Sequence, residues 1–141
     1  MAMIDDLNKL TALCRTGALK SLDAMLTLGP KPEAAGEALL WEQQMTRLQG
    51  QINSLSALVI KLTAVAIIQG LQELDDELVV VGAVSKAAEE RIKQINKVSD
   101  LLAKLAKVLD LGLAVIAAAV APSPATITAV VDAGTVVANE V

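Results

Sequence analysis

The chain has 141 residues, 54% hydrophobic and 1% aromatic, with 16 acidic against 12 basic residues and a net charge of -4. It has no histidine, tyrosine or phenylalanine and one cysteine, Cys14. These absences exclude histidine-dependent triads, cysteine–histidine pairs, histidine-containing and four-cysteine zinc sites, and an intrachain disulfide. The acidic balance argues against general nucleic-acid binding, which needs a basic face to displace counterions from phosphates.

Leu, Val, Ile and Ala recur at spacings of three and four, and no proline falls between Pro32 and Ala121. That period predicts an all-α fold forming one helical domain over residues 1–141. The expected architecture is a helical bundle built on a long antiparallel, coiled-coil-like helical hairpin, with a small C-terminal helix or hairpin. A core made from aliphatic side chains and alanine is dense only if backbones approach closely.

The first helix is predicted over 4–28, with Ile4, Leu7, Leu10, Cys14, Ala18, Leu22 and Met25 along one stripe. Asp5 and Asp6 suit its positive amino end, and Gly29-Pro30 stops it. Pro32 restarts a helix, giving a first long arm over 33–72. Its stripe runs through Trp41, Met45, Leu48, Ile52, Leu55, Val59, Leu62 and Ala66, alternating four and three as in a coiled-coil seam. Lys61 is the one charge between Arg47 and Glu73.

Between Gly70 and Ser85 an acidic stretch precedes the run Val79, Val80, Val81 and then Gly82. A bend near Gly70 or near Gly82 is expected, with the stretch between Glu73 and Gly82 favoured, because one helix from Glu33 to Val120 would be roughly 130 Å long. The second arm, 83–120, carries Ala88, Ile92, Ile95, Leu102, Leu105, Leu109, Leu113 and Ile116. Glu89 with Lys93, and Asp100 with Lys104, have the favourable spacing for pairing on its wet side. Ser123 then reads as an N-cap and Pro124 as the first residue of a terminal element over 124–138. The β-branched content leaves a rival hairpin, 126–131 against 135–137.

Few residues here offer chemistry. Cys14 lies on an apolar stripe and reads as a small buried hydrophobe. Glu73, Asp75, Asp76 and Glu77 lack the spacing of a calcium loop and read as a solvated turn or a helix start. Lys61 reads as a stem covering apolar surface with its ammonium in water. Lys86, Arg91, Lys93, Lys97, Lys104 and Lys107 make the second arm locally basic, a solvated face with no aromatic to stack on bases. No catalytic residue, cofactor, metal or small-molecule substrate is expected.

The expected role is therefore that of a non-enzymatic interaction or assembly protein, pairing with copies of itself or with another helical protein. Its interaction seam would be Leu48, Ile52, Leu55, Val59, Leu62, Ile92, Ile95, Leu102 and Leu109. The alternative is a membrane-active protein inserting the uncharged run 111–131, with Leu111, Leu113, Val115, Ile116, Val120, Ile127, Val130 and Val131 meeting lipid. Amphipathic arms with an apolar end resemble the architecture of α-helical pore-forming proteins, though no motif supports a family. The acidic start, Met1 to Leu7, lacks the order of a secretory signal, so a cytoplasmic location or signal-independent export is expected.

Overall fold

The computed structural model describes residues 2–141. It is all-helical, six helices packed together, with no strand among the described residues. They are α1 (Ala2–Leu28), α2 (Ala35–Leu62), α3 (Val65–Gly70), α4 (Asp75–Lys93), α5 (Val98–Val120) and α6 (Pro124–Glu140).

Several boundaries follow from local chemistry. α1 ends on Gly29, whose φ of 67° is the left-handed conformation that glycine adopts freely. Pro32 lies ahead of α2 rather than inside it: the helix opens after Ala34, whose backbone is extended. The indole of Trp41 donates to the carbonyl of Gly29 at 3.1 Å and ties the α1–α2 loop to the new helix. α6 is a helix, not the rival hairpin. Ser123 and Thr126 close a capping box around Pro124, satisfying two amide donors that a helix start leaves open.

The two predicted arms are each divided. The first stops at Leu62, where the Thr63 hydroxyl donates to the carbonyls of Val59 and Ile60 and competes with continued helix. The bend falls at Leu71–Leu74, directly after Gly70 and overlapping the favoured interval only at Glu73 and Leu74, and Gly82 lies inside α4. Asp75, Asp76 and Glu77 occupy the first turn of α4, where negative charge meets the positive end of the helix. The second arm is interrupted between Gln94 and Lys97. There the Lys20 ammonium donates to the carbonyl of Lys93 at 2.9 Å, supplying a partner to a helix end that has lost one. Glu89 and Lys93 pair at 3.7 Å as expected, whereas Asp100 and Lys104 do not come within ion-pair distance.

The two predicted arms do not pair with each other as an antiparallel hairpin. α2 and α5 lie side by side in the parallel sense: the Gln51 amide donates to the carbonyl of Leu102 at 3.3 Å, and Leu58 meets Gly112 further along both helices. Two parallel helices need a crossover between them, and α3 with α4 supplies it. α4 crosses to α1 and also runs parallel to it, with Asp6 against Gly82 and Thr16 donating to Glu89 at 2.9 Å. α1 and α2 are antiparallel, Leu55 lying near Gly17, and α5 and α6 are antiparallel, Lys107 pairing with Glu140 at 3.3 Å.

The packing order closes a circuit: α2 on α1, α1 on α4, α4 on α6, α6 on α5, and α5 back on α2. α1 also touches α5 across the middle, and α3 lies on α5. Leu10, Leu13, Leu48, Leu55, Leu58, Leu62, Leu71, Leu78, Ile92, Leu105 and Leu111 fill the interior. Each such leucine, removed from water, contributes about 1.5–3 kcal/mol.

Candidate interaction surface

The circuit places the predicted seam inside the chain. Leu48, Leu55, Leu62, Ile92 and Leu102 are buried, and Val59, Ile95 and Leu109 are half-buried against them. Ile52 is half-buried as well. α2, the end of α4, the 94–97 loop and α5 bring these residues to one core. The five buried residues are therefore not free to meet a partner while the bundle stays closed, whereas the four half-buried ones keep part of their surface outside.

What remains outside is a different apolar set, and its densest part lies on α1 and α2. The stripe predicted to be the core face of α1 is buried at Leu7, Leu10 and Cys14 and half-buried at Ala18 and Met25, and departs from the core only at its other two positions. Ile4 and Leu22 are exposed, while Leu13, Gly17 and Ser21 turn inward. Leu19 is 63% exposed, Leu22 46% and Leu26 73%, and Ile60 of α2, 72% exposed, stands near Leu19. Positions 19, 22 and 26 lie at helical spacings of three and four, so they form one ridge. A groove of about 430 Å³ on the α2 side meets that ridge at Leu19, and is lined by Cys14, Ala18, Leu19, Leu55, Val59 and Ile60 among others. Leucine on a helix is often core; here the interior is already filled by the opposite face, and these side chains stand in solvent.

Two further apolar surfaces are less concentrated. Leu39 and Leu40 stand over a groove of about 620 Å³ where the amino ends of α2 and α5 meet, near Thr46, Arg47, Ser99 and Leu102. Val80 and Val131 stand beside a smaller groove between α4 and α6, rimmed by Asp76 and Glu77.

The segment predicted to meet lipid is split by its position in the fold. Leu111, Val115 and Val130 are buried, Ile116 and Ile127 half-buried, and Leu113, Val120 and Val131 exposed. No helix is long and apolar enough to cross a membrane among the described residues.

The polar candidates are dispersed. Burial pushes the Cys14 thiol up to about 12, with the nearby Arg15 charge acting weakly the other way. Such a thiol is protonated and poorly nucleophilic at neutral pH. Lys61 is exposed beside Ala57, Leu109 and Leu113. Glu73, Asp75 and Asp76 face solvent, and no group of three or more metal-binding side chains converges among the described residues. The basic residues of the second arm are spread over α4, the loop and α5; Lys93 pairs with Glu89 and Glu90, and Lys107 with Glu140.

The chain matches no protein-family model, no curated protein and no solved structure.

Sequence reading missed the exposed ridge because helical periodicity marks every apolar position alike. The signal present was an excess: α1 carries leucines at 7, 10, 13, 19, 22, 26 and 28, around more than one side of the helix.

Proposed function

We propose that this protein is a non-enzymatic helical assembly protein that self-associates through apolar helix faces left outside its own core. The observation that carries this reading is the exposed ridge of Leu19, Leu22 and Leu26, with Ile60 near its Leu19 end. Contiguous exposed leucine is costly in water and is commonly covered in an assembly. The coiled-coil-like element of this reading moves from the internal seam to that outward ridge.

The test is the mass in solution by light scattering over a range of protein concentrations in plain buffer. A mass that rises to a multiple of 14.6 kDa supports the proposal, and a constant mass of 14.6 kDa overturns it.

A second reading, association with a membrane surface, is favoured by one observation: Leu113, Val120, Val131 and Val136 are exposed along the α5–α6 hairpin. Flotation with phosphatidylcholine and phosphatidylglycerol vesicles tests it. Binding that disappears when Val120 and Leu113 become glutamate would support it, and no flotation would overturn it.

A further inference from the structure

The first three turns of α2, ahead of Leu48, bury no residue. α5 begins only near the level of Leu48, since Gln51 already meets Leu102. The start of α2 is therefore an overhang, and it carries Leu39 and Leu40, 57% and 56% exposed, beside the exposed Arg47. Glu42, the other charged residue there, is paired with Lys31, whereas Arg47 forms no ion pair among the described residues. Leu40 and Arg47 are seven residues apart, so they lie along one line of the helix, separated by about 10 Å.

The groove between α4 and α6 is the counterpart. It measures about 260 Å³, and its wall includes Val80, Val130, Val131 and Gly134. Nothing lies within 4 Å of a Cβ added at Gly134, so the glycine leaves an open notch in that wall. Asp76 and Glu77 on the rim form no ion pair among the described residues. α4 and α6 run in the same direction, opposite to α2 and α5, so their groove, near the start of α4, lies at the far end of the bundle from the overhang. From Asp76 to Val80 is one turn, and from Val131 to Gly134 nearly one more, together about 10 Å.

From this match of shape, charge and spacing we infer that a second copy of the chain docks head to tail, the overhang of one copy entering the α4–α6 groove of the next. A repeat that keeps the bundle direction sets α2 antiparallel to the neighbouring copy's α4. Arg47 then reaches the neighbouring copy's Asp76 and Glu77 as Leu40 reaches the notch at Gly134. A two-fold axis across the bundle would make the same helices parallel, and Leu40 in the notch would leave Arg47 pointing away from the acids. A two-fold axis along the bundle would leave overhang and groove at opposite ends. The contact is therefore heterologous, and each added copy presents a free overhang or groove to a further one. The apolar surfaces supply the attraction and the charges choose the sense.

This inference rests on the proposed self-association and adds a contact separate from the α1 ridge. The experiment is mild oxidation of an equal mixture of two full-length variants, Leu40→Cys and Gly134→Cys, alongside each variant alone. Leu40 is exposed and Gly134 has room for a side chain, and helical circular dichroism checks that both variants fold. Cys14 is buried and stays out of the reaction. The expected result is a disulfide-linked pair holding one copy of each variant, formed in the mixture and in neither variant alone. Adding Arg47→Glu to the Leu40→Cys copy is expected to lower the yield by about threefold. Linked pairs formed as readily by one variant alone would overturn the head-to-tail contact, and a yield indifferent to Arg47→Glu would overturn its assigned sense. No linked pair from a chain whose mass still rises in light scattering would overturn this contact and leave self-association standing. No linked pair from a chain that stays at 14.6 kDa would overturn both.

Discussion

Gly70, the last residue of α3, lies so close to the carbonyl of Ala119 on α5 that no side-chain carbon fits between them. The contact is with backbone, which cannot rotate aside. It fixes the end of the short crossover helix against α5 and so helps to set where α4 begins. Gly112 plays the corresponding part further along α5, where Leu58 of α2 occupies the space that a Cβ would need. These two glycines let helices built from small aliphatic residues approach closely.

Gly70→Ala is expected to destabilise the fold by about 1–3 kcal/mol, because overpacking displaces well-packed neighbours. Gly36→Ala and Gly50→Ala serve as controls, since nothing lies within 4 Å of the added carbon at either position. Both are expected to stabilise by about 0.5–1 kcal/mol through lower freedom of the unfolded chain. Urea unfolding midpoints measure all three.

Two leucines separate core from surface. Leu55→Ala, at a fully buried position near Gly17, is expected to cost about 2–5 kcal/mol. Leu26→Ala, on the exposed ridge, is expected to change monomer stability by less than about 0.5 kcal/mol. Measured at a concentration where the unaltered chain is associated, Leu26→Ala should instead show a concentration-dependent loss.

The raised Cys14 thiol makes stability depend on pH at the alkaline end. Below about 9.0 the thiol is protonated whether the chain is folded or not; between 9.0 and about 12 the unfolded chain releases the proton while the folded chain keeps it. Unfolding is therefore favoured progressively across that window. The stability advantage of the unaltered chain over Cys14→Ala is expected to be constant below pH 9 and to shrink above it. Urea titrations from pH 7 to about 11 measure the difference, and alkylation by iodoacetamide should be slow until the chain unfolds.

Ser123 accepts from the amide of Thr126 at 3.1 Å and Thr126 accepts from the amide of Ser123 at 2.9 Å. Ser123→Ala removes half of this reciprocal cap and is expected to cost about 1 kcal/mol. The thermal midpoint should fall by a few degrees. Thr126→Ala should cost a similar amount, and the double variant less than the sum, because the two bonds belong to one motif.

The helical class and several helix ends were legible in the chain alone. Gly29 before Pro30, Ser123 before Pro124, and the acids at Asp75, Asp76 and Glu77 act through their own few neighbours, by left-handed backbone, by side-chain capping and by the field at a helix end. The burial of Cys14 and of Leu48, Leu55 and Leu62 in α2 followed from period in the same way. Nothing in the residues from Gln94 to Lys97 announces a break, since no glycine or proline is there. That break depends on α4 lying against α1, where Lys20 receives the end of the helix.

The partners of each stripe were settled only in three dimensions. The parallel pairing of α2 with α5 depends on the crossover through α3 and α4 and on the close approaches at Gly70 and Gly112, all contacts between residues far apart in sequence. The same contacts put Leu48, Leu55 and Leu102 inside and left Leu19, Leu22 and Leu26 outside. An apolar period states that a face must be covered; only the assembled bundle determines which faces the chain covers with itself, because burial is a property of neighbours rather than of a residue.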